Sequence, residues 1–281
     1  MHWRIPSLPA VPALLGILLL AAGCGGPEGR AEGILNEHVL FFSNFEKGVD
    51  ALSCTGSPLA EIDGGRTHHH PDGGKTDGHV AFEKDAGPLS YAATGSFPYG
   101  RTAWEGGVSF WLSVDPQGDL EADYPEPFHI GKRDGSSFPW DDAVIFVDFT
   151  KPPRALRFGC YPDKAGEITD EMVSERVIRV DGVGWKAGEW HHIAITWRNF
   201  NSGKANAEWA LFVDGKEKGR KKGLRQDVTW NMETQVMRFN HYKYSGRIDD
   251  IAVFDVMLTP NEAKYLANPR KPLNALLKKD R

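Results

Sequence analysis

The chain has 281 residues and is short of several things. It has three cysteines and no CxxC pair, so cysteine ligation of zinc is set aside. No run of five or more basic residues occurs, "GRKKGLR" (219–225) coming nearest, and the formal net charge is −5. Nucleic acid is therefore not expected as a partner. There is no G-x-S-x-G elbow, no phosphate loop, no internal repeat and no long low-complexity segment. The apolar stretch Val11 to Ala22 falls short of the roughly 20 residues a membrane-spanning helix needs. What is present is glycine (31), proline (18) and 11% aromatics, a mixture that suits many short strands joined by tight turns.

The strand-like runs are "HVLFFSNF" (38–45), "HVAFEK" (79–84), "GGVSFWLSVDP" (106–116), "AVIFVDF" (143–149), "ALRFGCY" (155–161), "ERVIRV" (175–180), "WHHIAITWR" (190–198), "EWALFVDG" (208–215), "TQVMRFN" (234–240) and "RIDDIAVFD" (247–255). The one convincing helix follows Thr259. Pro260 takes the first helical position and Glu262 stands three after the cap, a capping box; Asn268-Pro269 stops it. About ten strands with one short C-terminal helix predict an all-β, two-sheet antiparallel sandwich.

The N-terminus, "MHWRIPSLPAVPALLGILLLAAGCGG", reads as a secretory signal. Its end, "LAAGCGG", resembles a bacterial lipobox. That resemblance implies cleavage before Cys24 and acylation of Cys24, with residues 1–23 as signal peptide and 24–35 as a flexible tether. The expected location is the cell envelope, membrane-anchored by lipid and facing the periplasm or exterior. Gly25 is not the aspartate that marks inner-membrane retention, which favours the outer membrane. Cys54 and Cys160 then remain, and two readings stay open. They pair in a disulfide closing a long loop, adding about 3–4 kcal/mol, or they are two free buried thiols.

Three blocks, Trp190 to Ala194, Leu211 to Gly215 and Ile248 to Ile251, resemble in order the "W-H-H-[VI]-A" strand, "[LF]-[YF]-V-D-G" hairpin and "I-D-D-[VI]" strand of laminin-G-like, concanavalin A-like jelly-roll domains of bacterial extracytoplasmic proteins. "GGVSFWLSVDP" resembles an earlier strand of that family. The resemblance covers residues 36–268, leaves 269–281 as a tail, and implies one concanavalin A-like jelly roll. Residues 115–185 depart from the family pattern and look enlarged. Such folds mostly bind glycans or surface partners, and some relatives are glycoside hydrolases or polysaccharide lyases, so function has to be argued from residues.

His191 and His192 are neighbours on a strand and point to opposite faces, so they do not converge on a metal. Scaffold is the first reading for both; contact of His192 with ligand is the second. His68, His69, His70, Asp72, Asp77 and His79 are dense enough to bind zinc or copper, but their glycine-rich segment reads as solvated loop. "EIDGGR" (61–66) copies part of the E-x-D-x-x-E strand of jelly-roll glycosidases, with Arg66 where the third acid belongs. "VMRFNHYKY" (236–244) offers Arg238, His241, Tyr242 and Tyr244 toward a lyase site without identifiable partners. The resemblance also implies one structural calcium ion on Asp249, with Asn44 and Glu46. Against it stands an aspartate bonded to backbone amides or to Arg247. Ligand contacts are expected from Trp140, Asp141 and Asp142 in "SSFPWDDA" and from Trp104 in "PYGRTAWEGG". The expected function is binding of a glycan or cell-surface protein without catalysis. The alternatives are a polysaccharide-active enzyme and a structural adhesion or assembly subunit.

Overall fold

The computed structural model describes residues 27–121, 123–132, 142–163 and 169–277. The expected signal segment, Cys24, Trp140 and Asp141 lie outside them. Alternation of apolar and polar residues sends one side of each strand inward, and two antiparallel sheets pack on those sides. The first sheet holds β1 (Val39–Ser43), β2 (Ser53–Cys54), β4 (Thr67–His70), β5 (His79–Phe82), β7 (Trp104–Ser113), β12 (His191–Phe200), β13 (Ala207–Val213), β14 (Lys216–Leu224) and β16 (Gly246–Phe254). The second holds β3 (Ala60–Ile62), β6 (Leu89–Ala92), β8 (Glu126–Lys132), β9 (Val144–Phe149), β10 (Ala155–Tyr161), β11 (Val177–Asp181) and β15 (Gln235–Tyr242). Their orders are β14-β13-β12-β7-β16-β1-β2, with β5 also on β16 and β4 on β5, and β11-β10-β9-β8-β15-β6-β3. Neighbours far apart in sequence, such as β7 between β12 and β16, make this the expected jelly-roll sandwich.

Ile193, Ile195 and Trp197 of β12 face inward, and so do Phe128 and Ile130 of β8. The sheets interlock through Phe110, whose ring lies 5.7 Å from Phe128 and 5.8 Å from Phe239. The β13–β14 hairpin turns on Asp214 and Gly215, both at positive φ, as a two-residue turn demands. A Cβ at Gly215 would meet the Lys264 backbone at 2.8 Å, so glycine also lets the next helix approach.

That helix, α3 (Pro260–Ala267), has the expected capping box: Thr259 Oγ1 accepts from Glu262 N and Glu262 accepts from Thr259 N. Two further helices correct the one-helix expectation. Residues 27–37 are not tether but α1 (Pro27–Glu37), which buries Ala31 and Ile34 against the same apolar cluster as Leu266 of α3. Leu273 of the tail joins that cluster. In the enlarged region Thr169 caps α2 (Asp170–Arg176) by accepting from Met172 N at 3.2 Å. The six strands not expected are β2, β3, β4, β6, β8 and β14.

Cys54 on β2 and Cys160 on β10 sit in different sheets, and both are free thiols. Packed sheets lie about 10 Å apart, beyond the Cα separation of about 4.4–6.8 Å that a disulfide spans. The disulfide alternative is therefore not realised. Burial pushes both thiols up, the Cys160 thiol well up.

Candidate functional site

The outer face of the seven-stranded sheet gathers charged and titratable side chains. Phe128 and Ile130 of β8 point into the core, so His129 between them points out. A Cβ at Gly131 would come within 2.4 Å of His129 Nε2; glycine makes room for that ring. Opposite, β15 breaks register between Phe239 and Tyr242 with Asn240 at φ 59°, a bulge. Asn240 holds it by accepting from Tyr244 N at 2.7 Å and donating to Ala86 O at 2.9 Å. The bulge lays His241 on His129, ring centroids 3.9 Å apart and 15° from parallel.

His129 Nδ1 and Glu126 Oε1 share a hydrogen bond of 2.6 Å. Burial, with Arg238 beside it, holds His129 down at about 3, and burial likewise holds His241 at about 3. Burial pushes Glu126 up to about 7, against the pull of His241, Arg157 and Arg238. The Glu126–His129 contact is thus a hydrogen bond to a neutral imidazole near neutral pH rather than an ion pair.

Further along the same face, Arg157 of β10 chelates the Asp148 carboxylate of β9, with Nε donating to Oδ1 at 2.8 Å. Burial still raises Asp148 to about 6. Arg157 also lies 5.0 Å from the ring centre of Tyr124, which is 42% exposed. Tyr242, cross-strand neighbour of Glu126, is 48% exposed. Two exposed aromatic rings thus stand near this polar group, one over Arg157 and one on the residue paired with Glu126. Rings of this kind stack against apolar faces of a ligand while the polar groups orient it.

Glu126, His129 and His241 place one donor atom each within 4.8 Å of the others, the three-residue group of this kind among the described residues. Imidazole lone pairs lie in the ring plane. Two rings stacked nearly parallel aim them side by side rather than at one point, so the arrangement suits proton exchange better than a tetrahedral metal.

The expected ligand contacts divide. Asp142 ion-pairs with Lys132 at 2.8 Å, at the end of β8. Trp140 and Asp141 are outside the described residues. Trp104 is a correction: it is buried among Phe97, Tyr99, Trp197, Phe200 and Trp230. Its neighbours Tyr99 and Arg101 line an open groove of 720 Å³.

For His192 the first reading, scaffold, fits, and the ligand-contact alternative is the correction. It is fully buried on the outer face of the nine-stranded sheet, its Nε2 2.8 Å from Ser109 Oγ and its ring edge-on to Trp111. Burial takes it down to about 3. His191 stacks on Trp185 at 4.3 Å and bonds Asp214 at 3.0 Å. Both histidines are scaffold. The histidine-rich segment is also corrected, since Thr67–His70 is β4, paired with β5.

Asp249 is buried, and its oxygens meet backbone donors. Oδ2 accepts from Lys75 N at 2.7 Å and Thr76 N at 3.0 Å, and Oδ1 accepts from Asp250 N at 2.7 Å. Three N–H dipoles point their positive ends where a cation would sit. Glu46 is engaged instead with the Asn274 amide at 3.2 Å. This donor set does not fit calcium at Asp249; it is the amide-bonded aspartate that pins the 74–77 turn. Burial and the adjacent Asp250 push the Asp249 carboxyl well up.

Sequence reasoning missed Glu126, His129 and Tyr124, because β8 went unread. The alternation Phe128-His129-Ile130 was the available signal. It named Arg238, His241 and Tyr242, whose partners the β15 bulge supplies.

Residues 127–264 match the family model Laminin_G_3, described as the concanavalin A-like lectin/glucanases superfamily. No curated protein matches the chain. Among solved structures it is similar to domain 4 of an extracellular GH43 arabinanase from Geobacillus stearothermophilus, solved in complex with arabinotriose. That match has 15% identity and a TM-score of 0.52, and covers 83% of this chain and all of that one. It is also similar to the binding domain of botulinum neurotoxin serotype G (13% identity, TM-score 0.56, 82% of this chain) and to that of Paraclostridial mosquitocidal protein 1 (15%, 0.53, 83%). The chain spans about half the length of those toxin domains, 50% and 52%. The fold is shared with all three, and the resemblance to laminin-G-like jelly rolls is borne out.

Proposed function

We propose, for a laminin-G-like jelly roll of the concanavalin A-like superfamily, that this chain is a lipid-anchored extracytoplasmic module that binds a glycan on the outer face of its seven-stranded sheet. One observation carries the reading: exposed Tyr124 over Arg157 and exposed Tyr242 paired with Glu126 lie near the largely buried Glu126–His129–His241 set. Sugar rings offer apolar C–H faces to such aromatics and hydroxyls to such a polar centre. The arabinotriose complex of the arabinanase domain supports a sugar ligand for this fold. Trp140 and Asp141, which precede Asp142 in the sequence, are further candidate contacts. Cys24 is the anchor, and the outer membrane its favoured place.

A glycan array on the purified protein tests the ligand. Retention should be lost in Tyr124→Ala and Tyr242→Ala, and unaltered retention in both would sink the site. Metabolic labelling with a radioactive fatty acid tests the anchor, which Cys24→Ser should abolish.

A second reading rests on the 2.6 Å Glu126–His129 bond. A carboxyl near neutral pKa against a neutral imidazole is equipped for acid–base cleavage of a polysaccharide. Depolymerisation assays on the same preparation separate the two: cleavage that His129→Gln abolishes supports the enzyme. Silence in both assays supports an assembly subunit.

A further inference from the structure

The outer-face site does not end at Arg157. That side chain also lines a groove of 430 Å³ beside α2, β11 and β14, with Arg179, Lys218, Arg220 and Lys221 in its wall and no carboxylate among the described residues lining it. Val173, Val177 and Ile178 give it an apolar floor. Some of these cations are partly neutralised: Arg157 by Asp148, Arg179 by Asp181, and Arg220 by Glu208 and Glu217. Lys218 is exposed and has no ion-pair partner among the described residues. Residues 216–225, "KEKGRKKGLR", hold six cations and one acid in a chain whose net charge is −5. Charge of the opposite sign to the whole has been concentrated on one strip.

Lysines on an edge strand block unwanted pairing, and β14 is an edge strand. That accounts for cations along β14. It does not account for cations from β10 and β11 turned into the same groove. From Arg238 on β15 through Arg157 on β10 to Arg179 on β11 the face crosses four strand spacings, about 19 Å. A polymer lying across the strands would meet the tyrosine rim first, then Arg157, then the basic groove.

We propose that the ligand of this face is an acidic polysaccharide, its carboxylate or sulfate groups lying along the groove of Arg157, Arg179 and Lys218. This rests on the glycan-binding reading above and narrows it. Binding through several solvent-facing cations is screened by salt within a Debye length of about 8–10 Å, so affinity falls as ionic strength rises.

The test measures retention of the full-length protein on polygalacturonate, a sulfated glycosaminoglycan, a neutral arabinan and a neutral glucan, at low and high salt. Single-stranded DNA and, for the Cys24→Ser form that lacks the acyl anchor, phosphatidylglycerol vesicles serve as anionic controls. The double variant Arg179→Glu/Lys218→Glu changes two exposed side chains and should fold normally, checked by near-UV circular dichroism. Acidic glycans should be retained in a salt-sensitive way, and the double variant should bind them roughly tenfold or more weakly, about 1.4 kcal/mol. Retention of neutral glycans alone keeps the glycan reading and overturns this one. Undiminished binding of acidic glycans by the double variant overturns the groove. Equal retention of DNA or vesicles overturns it too, as simple ion exchange. No retention of any glycan sinks both readings.

Discussion

The two outer faces of this sandwich arise from the same period-two alternation and have opposite fates. On the nine-stranded sheet the outward residues of the central strands are small or apolar, among them Phe42, Ala194, Ala210, Phe212, Ala252 and Phe254. Helices α1 and α3 close over them. The polar groups caught there, His192 and Asp249, are tied to Ser109 and to backbone amides. On the seven-stranded sheet the outward positions carry His129, Asp148, Arg157, Arg238 and, through a bulge, His241, with α2 covering only the Val144–Phe146–Tyr161–Val177 corner. Small or apolar side chains admit a helix; the polar ones here bond among themselves instead, His129 to Glu126 and Arg157 to Asp148. Burial of a histidine is therefore not what distinguishes scaffold from site here. His192 and His129 are both buried and both held neutral. What differs is the company, a sealed hydroxyl for one and a carboxyl and second imidazole beside exposed tyrosines for the other.

The largest effect should come from breaking the seal. Phe254→Ala removes a fully buried ring beneath α1 and α3 and should cost about 3–5 kcal/mol in urea unfolding, with glycan retention intact in the molecules still folded. Next comes Asp249→Ala. It strips the acceptor from three backbone amides and should cost about 3 kcal/mol. Because amides rather than a cation fill the site, the wild-type melting temperature should not move with EDTA or added calcium. A calcium-dependent rise that Asp249→Ala abolishes would overturn the amide account.

A smaller effect separates the faces by pH. His129, His192 and His241 have folded pKa values near 3, below the unfolded 6.5. Between those values the unfolded chain binds more protons, so the stability each histidine contributes is present above about 6.5 and lost as pH falls toward 3. Glu126 and Asp148, raised to about 7 and 6, act in the other direction and lose stability as pH rises from about 4 to 7. On the candidate face the two trends oppose each other. Substituting one histidine at a time resolves them. His192→Gln should flatten the acid limb of stability, on the order of 1–3 kcal/mol at pH 4, and leave ligand retention unchanged. His129→Gln should flatten the same limb and also shift the pH profile of retention. If His192→Gln shifts that profile as well, the division between the faces is wrong.

Most of the sandwich was legible from residues. "ALRFGCY" is β10 end to end, and Thr259, Pro260 and Glu262 announced α3 with its capping box. Strand alternation alone put His191 and His192 on opposite faces. The candidate site was half legible, because half of it depends on a bulge. Regular alternation cannot foresee that a positive φ at Asn240 would swing His241 onto a strand more than a hundred residues earlier. Trp104 was misplaced among the ligand contacts for a related reason, whereas for His192 the scaffold reading came first and only the ligand alternative fell. The aromatic cluster around Trp104 and the partner of His192 are assembled from distant segments. α1 was missed because "PEGRAEGILNE" is weakly amphipathic and glycine-containing, and what holds it is docking against α3.

The smallest expected effect is on stability at the tyrosine rim, and it bears most directly on the difference between the faces. Tyr124 and Tyr242 are about half exposed, and the contacts shown for each ring are a single cation, Arg157 or Lys243. An exposed cation–π pair contributes about 0.5–1 kcal/mol, and a surface substitution away from the core usually stays within about 0.5 kcal/mol. Tyr124→Ala and Tyr242→Ala should therefore each melt within about 4 °C of wild type, and the small shifts should add in the double variant. A large loss of stability would mean that these rings pack as Phe254 does, and the seven-stranded face would then be a second sealed face. Near-wild-type melting combined with lost glycan retention is the signature of rings kept at the surface for a ligand, because nothing in the fold of the free protein needs them there.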